Sequence, residues 1–188
     1  CALQLDAEGY ITKKIDFTSD NAPAYMAELC EKYFSDAPGC LNADGLKLDF
    51  IDRFIINDES SKEYDKMDTP SVNVALQLLL NEATTELKKI NPEIMIEFRQ
   101  SYIGPVLTQY CNFLRVADCP NDAIFNRVGS LNLRLTSGKT PVHSDMLMWS
   151  KNDTNEGVMY QLLAIMFTVP QISVRFDNIT SEHKKILK

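Results

Sequence analysis

At 188 residues, with 45% hydrophobic and 24% charged side chains, the chain is long enough for one globular domain or a large part of one, and it is not a disordered segment. Its 26 acidic residues outnumber 19 basic ones, and the net charge of −7 argues against a phosphate-backbone partner. No apolar run approaches membrane-spanning length, so neither nucleic acid nor a membrane is an expected partner.

Cys1-Ala2-Leu3-Gln4 does not open a charged-then-apolar leader, and no initiator Met is present, so the chain reads as a segment of a longer protein. Residues 10–17 read as a strand or hairpin arm. Thr18-Ser19-Asp20-Asn21 offers helix caps, and a helix follows over 23–35 with Ala24, Met26, Ala27, Cys30 and Phe34 at helical spacing. Asp36-Ala37-Pro38-Gly39 ends it. Gly45-Leu46-Lys47-Leu48-Asp49-Phe50 is a short strand with Lys47 and Asp49 on one face. A polar loop occupies 51–70. Thr69-Pro70-Ser71 starts a strong helix over 71–90, broken by Asn91-Pro92.

Residues 93–98 form the next strand, 104–111 a short helical turn, and 113–118 a strand ending on Asp118. A helix over 122–136 contains an awkward Gly129. Residues 141–146 resemble a strand end with polar residues. Then come a helix over 155–168, a strand over 171–176 and a last helix over 181–188, capped by Thr180 or Ser181. The basic cluster His183-Lys184-Lys185 with Lys188 reads as a solvated face of that helix.

Strand-helix alternation of this kind means parallel strands joined by right-handed crossovers. An open nucleotide-binding sheet needs a glycine-rich first turn, and no G-x-G-x-x-G occurs. Ser137-Gly138-Lys139-Thr140 mimics the end of a phosphate loop, but Leu133 stands where its first glycine belongs. Ionic residues instead recur at successive strand ends: Asp49, Arg99, Asp118 and Asp145. That distribution suits a (β/α)8 barrel of the TIM type, with this chain covering roughly its second half. Two open strand edges would then favour self-association into a homo-oligomer.

Paired carboxylates on either side of a bond are what glycoside hydrolysis uses. Lys47 beside Asp49 favours the ionised form that a nucleophile needs. Asp118, between Ala117 and Cys119, has an apolar setting that suits a general acid. The bland alternatives are that Asp49 caps a helix or pairs with Arg53, and that Asp118 starts a turn before Pro120. Arg115 either grips substrate hydroxyls, orients the acid, or joins an interior ion pair. Arg99, Gln100 and Tyr102 are sugar contacts or ordinary loop residues. His143 and Asp145 line the pocket or make structural hydrogen bonds. Trp149 stacks on a sugar or packs a core.

The two histidines lie far apart and no H-E-x-x-H occurs, so no metal and no cofactor is expected. No G-x-S-x-G occurs either. The five cysteines form no C-x-x-C and read as buried thiols. A Cys30–Cys40 or Cys111–Cys119 bridge is open to an exported protein, and an extracytoplasmic location is the one favoured.

Gly-Leu-Lys-Leu-Asp-Phe at 45–50 resembles the Lys-x-Asp strand of the α-galactosidases of glycoside hydrolase family 36, in the melibiase clan. Arg115-Val116-Ala117-Asp118 resembles the family's later strand, where an arginine precedes the acid/base aspartate. Pro92–Arg99 with Gly104-Pro105, Pro141–Met146, and residues 155–176 are similar to its intervening and following segments. The resemblance implies a retaining exo-α-galactosidase acting on an oligosaccharide or glycoside, with Asp49 as nucleophile and Asp118 as acid/base. Lys47, Arg115, Arg99 and Asp145 are then substrate-binding. Asp122 is a rival for the acid role. Leu48 stands where many relatives have Trp, which bears on the galactose preference. Retention predicts carboxyl groups about 5–5.5 Å apart. A raffinose-synthase-like transferase and an inactive carbohydrate-binding barrel are the alternatives. The isolated segment is expected to be inactive without its first strands.

Overall fold

The computed structural model describes residues 3–5, 11–15, 19, 21–49, 51, 68–69 and 71–188. Most of the expected 51–70 loop, including Arg53, lies outside the described residues, as do Cys1 and Phe50. The chain divides into two compact units, residues 1–96 and 97–188, with the boundary inside a strand.

In the first unit, β1 (Leu3–Leu5) and β2 (Ile11–Ile15) pair antiparallel. β2 is therefore a hairpin arm, and it does not begin the parallel alternation. Helix α1 (Ala22–Phe34) has Pro23 in its first turn, where proline's fixed φ is favourable and its missing N–H costs nothing. Helix α2 (Val72–Ile90) starts where the Ser71 hydroxyl accepts from the Val74 N–H at 3.5 Å. Its buried stripe of Ala75, Leu76, Leu79, Leu80, Ala83 and Leu87 has helical spacing, and α1 packs on it.

Strand β3 is short, Gly45–Lys47, so Asp49 lies just past its end rather than inside it. Gly45 has a packing reason: a Cβ there would stand 2.6 Å from the Met95 carbonyl oxygen. The Asp44 carbonyl accepts from the Met95 N–H at 3.1 Å, which joins this segment to β4 (Met95–Arg99).

The second unit continues with β5 (Phe113–Arg115), α3 (Ala123–Thr136), β6 (Val142–Leu147), α4 (Asn155–Ala164), β7 (Val169–Ile172) and α5 (Ser181–Ile186). The architecture is α/β, with a five-stranded parallel sheet in the sequential order β3-β4-β5-β6-β7. Such an order is what β-α-β alternation with short connections produces.

Glu97 pairs in register with Phe113, Arg99 with Arg115, and Arg115 with His143. Neighbours in register point to the same side of a sheet, so these residues share one face. The opposite face carries Phe98, Leu114, Val116 and Val142, all buried. Helix α3 covers that face. Gly129 is where it comes closest: a Cβ there would run into Val116 Cγ1 and stand 3.2 Å from Gln100 Oε1. The glycine that looked awkward in a helix is the residue that lets helix and sheet meet. Gly129→Ala is therefore expected to destabilise the unit by roughly 1–2 kcal/mol, overpacking outweighing Ala's better helix propensity. An unchanged or higher melting temperature would sink this account.

Three helices of this unit start on hydrogen-bonding caps. Asp122 accepts from the Phe125 N–H at 2.8 Å, Thr154 from Gly157 and Thr180 from His183. Helix α4 stops at Ala164, earlier than its apolar sequence suggests, because residues 165–168 form a turn held by the Ile165 carbonyl. Ser137–Thr140, the phosphate-loop mimic, is a turn closing α3, with Gly138 at φ 59°.

Around Leu147, Trp149, Val158, Ala164, Ile165 and Ile179 lies a second apolar core, so Trp149 packs inside the protein. His183 departs from the solvated face expected for its helix. It is buried, with Nε2 3.1 Å from the Asp153 carbonyl, while Lys184, Lys185 and Lys188 are exposed. The four described cysteines, Cys30, Cys40, Cys111 and Cys119, are free thiols, and neither candidate bridge is formed.

β7 is an edge strand of the sheet. The Gln171 and Ser173 N–H groups turn toward β6, donating to Ser144 Oγ and the Leu147 carbonyl. Alternation puts Pro170 on the outer side, where it offers no donor, and an edge is blunted in this way. No helix among the described residues is long and apolar enough to cross a membrane.

Candidate active site

Asp49 lies in the first unit with its sequence neighbour Lys47. The Lys47 ammonium is 2.8 Å from Asp49 Oδ2, and both side chains are partly exposed. The two side chains meet, as the sequence suggested, although Asp49 lies past the end of β3.

The second unit gathers most of the other candidate residues on one face of its sheet. Arg115 is the centre. Its guanidinium is buried, with Nη1 donating to Asp145 Oδ1, Nη2 donating to Asp118 Oδ1 at 2.6 Å, and Nε 3.6 Å from Glu97 Oε1. Three carboxylates thus surround one guanidinium. Arginine suits this position because its rigid fork serves two acceptors at once.

Asp145 is 0% exposed. Its second oxygen accepts from the Cys119 N–H at 2.5 Å. Asn126, buried on α3, grips the Asp145 backbone from both sides. Its Oδ1 accepts from the Asp145 N–H at 2.9 Å, and its Nδ2 donates to the Asp145 carbonyl at 3.1 Å. Both carboxylate oxygens of Asp145 are engaged within the protein, so it lies under the candidate site as an anchor.

Asp118 follows β5, at the carboxyl end of a parallel strand, where strand ends open to ligands in α/β folds. Its apolar setting, expected from Ala117 and Cys119, is not what surrounds it. The side chain is 59% exposed and ion-paired with Arg115, because the chain leaves the strand there and turns the carboxylate outward. Asn121, at φ 66°, makes the left-handed turn that leads into α3. Asp122, the rival acid, is exposed and committed to the α3 cap.

Arg99 is buried at the end of β4. Its Nη1 donates to the Gln100 carbonyl at 2.9 Å, and its guanidinium lies 5.5 Å from the centre of the Tyr102 ring. Gln100 links β4 to the segment after β5, since its Oε1 accepts from the Ala117 N–H at 3.3 Å.

His143 Nδ1 lies 3.1 Å from Glu97 Oε2, and the ring meets Phe113 edge-on at 4.2 Å between centroids. Glu97 is the member of this group that sequence reasoning missed. The signal was present: it stands two residues before Arg99, so alternation assigns it to the same face.

Burial first, and then the negative charge of Asp145, push the Cys119 thiol up to about 12. It stays protonated at neutral pH and is a poor nucleophile. Among the described residues, no group of three or more His, Cys, Asp or Glu is arranged to hold a metal ion.

The chemistry available is that of hydrogen-bonding and charged groups. An exposed carboxylate, held by a buried guanidinium, can exchange a proton with a ligand at the strand end. A second carboxylate with a lysine beside it lies past β3. No family model, curated protein or solved structure matches the chain.

Proposed function

We propose that the chain carries the carboxylate machinery of a retaining exo-acting α-glycosidase of the α-galactosidase kind, and that its parallel sheet is the second half of a (β/α)8 barrel. The observation that supports this most is Asp118: an exposed carboxylate at the carboxyl end of a parallel strand, held by a buried arginine that favours the ionised form needed to take the proton from water in the second step. The Lys47–Asp49 pair past the end of another strand adds the second carboxylate.

In this reading Asp49 attacks the anomeric carbon as the glycosidic bond breaks. Asp118 gives its proton to the departing oxygen, and the aglycone leaves as an alcohol. Asp118, now ionised, takes a proton from water. That water attacks the anomeric carbon and frees Asp49, so the configuration is retained. In the same reading Lys47 hydrogen-bonds sugar hydroxyls beside the nucleophile, whereas Arg115 and Asp145 support Asp118.

Covalent trapping tests the proposal. Incubating the full-length protein with a fluorinated α-galactosyl fluoride, whose glycosyl-enzyme hydrolyses slowly, is expected to add one fluorogalactosyl group per chain. Peptide mass spectrometry is expected to find it on Asp49. A label on another carboxylate would remove Asp49 from the nucleophile role, and no label would remove double displacement.

A further inference from the structure

Resting on the reading of Asp118 as acid/base, we infer that Asp145 is the positioning residue that holds Asp118 in its working orientation. One buried carboxylate controls Asp118 at two points. Through Oδ1 it holds the Arg115 guanidinium, whose Nη2 donates to Asp118 Oδ1. Through Oδ2 it accepts from the N–H of Cys119, the residue next to Asp118 in the chain. The first contact sets the direction of the side chain, and the second sets the backbone that carries it.

Asp145 is itself fixed. Asn126 binds its N–H and its carbonyl, so β6 is keyed to α3, the helix that the Asp118 loop enters. The segment from β5 to α3 is thereby clamped at both ends onto one residue of β6. A carboxylate is required at this point because both partners donate. An amide of the same size offers one acceptor and turns its NH2 toward the other donor.

The experiment compares Asp145→Asn with Asp118→Asn in the full-length protein. Two aryl α-galactosides serve as substrates, one with a poor phenol leaving group and one with a good, nitro-substituted one, each with and without azide. A displaced proton donor hurts departure of the poor leaving group and spares the good one. Asp145→Asn is expected to lower kcat on the poor substrate on the order of 10²-fold. On the good substrate the loss is expected to stay below about tenfold, with azide accelerating turnover by replacing the base-assisted water. KM is expected to hold on the poor substrate and to fall on the good one, where the glycosyl-enzyme accumulates. Asp118→Asn is expected to show the same pattern more strongly.

Equal losses on both substrates without azide acceleration, while Asp118→Asn shows both signatures, would overturn the inference and leave the acid/base reading standing. If Asp118→Asn shows neither signature, that reading itself fails. Thermal melts establish that each variant is folded at the assay temperature. Should Asp145→Asn not fold, Arg115→Lys carries the test. It keeps the charge but cannot bridge Asp145 and Asp118 as a fork. The same selective loss is expected of it, and equal losses would overturn the inference.

Discussion

Replacing Asp49 with Asn in the full-length protein is expected to abolish turnover of an aryl α-galactoside while leaving the fold intact. Removing a residue that acts as covalent nucleophile or activates one costs on the order of 10⁴- to 10⁶-fold in kcat in other hydrolases, because no other group makes the bond. The stability cost is small. Lys47 and Asp49 are both partly exposed, and an ion pair of this kind contributes about 0–1 kcal/mol. Activity and stability are thus expected to separate. If Asp49 merely pairs with Lys47, the variant keeps its activity, and measured turnover within a few-fold of the parent would exclude Asp49 as nucleophile. A melt shifted by many degrees would instead assign it a structural role.

The second large effect falls on stability. Arg115→Met removes the cation from the midst of Glu97, Asp118 and Asp145, and Asp145 is fully buried. Breaking a buried pair from one side leaves an uncompensated charge in a poorly solvated place and costs about 3–5 kcal/mol. Chemical denaturation measures it. The double change Arg115→Met with Asp145→Leu is expected to recover part of the loss, because removing both charges abolishes the desolvation penalty as well as the attraction. A single variant within about 0.5 kcal/mol of the parent, the usual range for surface changes, would show that the guanidinium is not the centre of the unit's polar face.

The helices were legible because their signals are local. Ser71 and the apolar stripe from Ala75 to Leu87 announce α2, and Asn91-Pro92 stops it. Thr180 marks a further start, whereas the caps that Asp122 and Thr154 form show only in the structure. The local pattern likewise put Lys47 with Asp49 and Arg99 at a strand end, whereas Asp49 and Asp118 lie past their strands and Asp145 lies inside β6. For residues 10–17 the local pattern left a strand and a hairpin arm both open, because a strand pattern does not name its partner, and β2 proves to pair with β1. Gly129 read as a flaw until Val116 was seen beneath it.

For the candidate site the division is similar. Which charged residues share a face with their neighbours two positions away follows from the sequence alone. Such facts depend on the covalent chain and the geometry of a single strand. The bond from Arg115 to Asp145, thirty residues apart, and the exposure of Asp118 depend on how strands pair and where the chain leaves the sheet. Ala117 and Cys119 suggested an apolar home for Asp118. Tertiary structure decided otherwise: it set a guanidinium from its own strand beside it, and braced that guanidinium from the next strand, because a charge buried in a sheet must find its partners across the sheet.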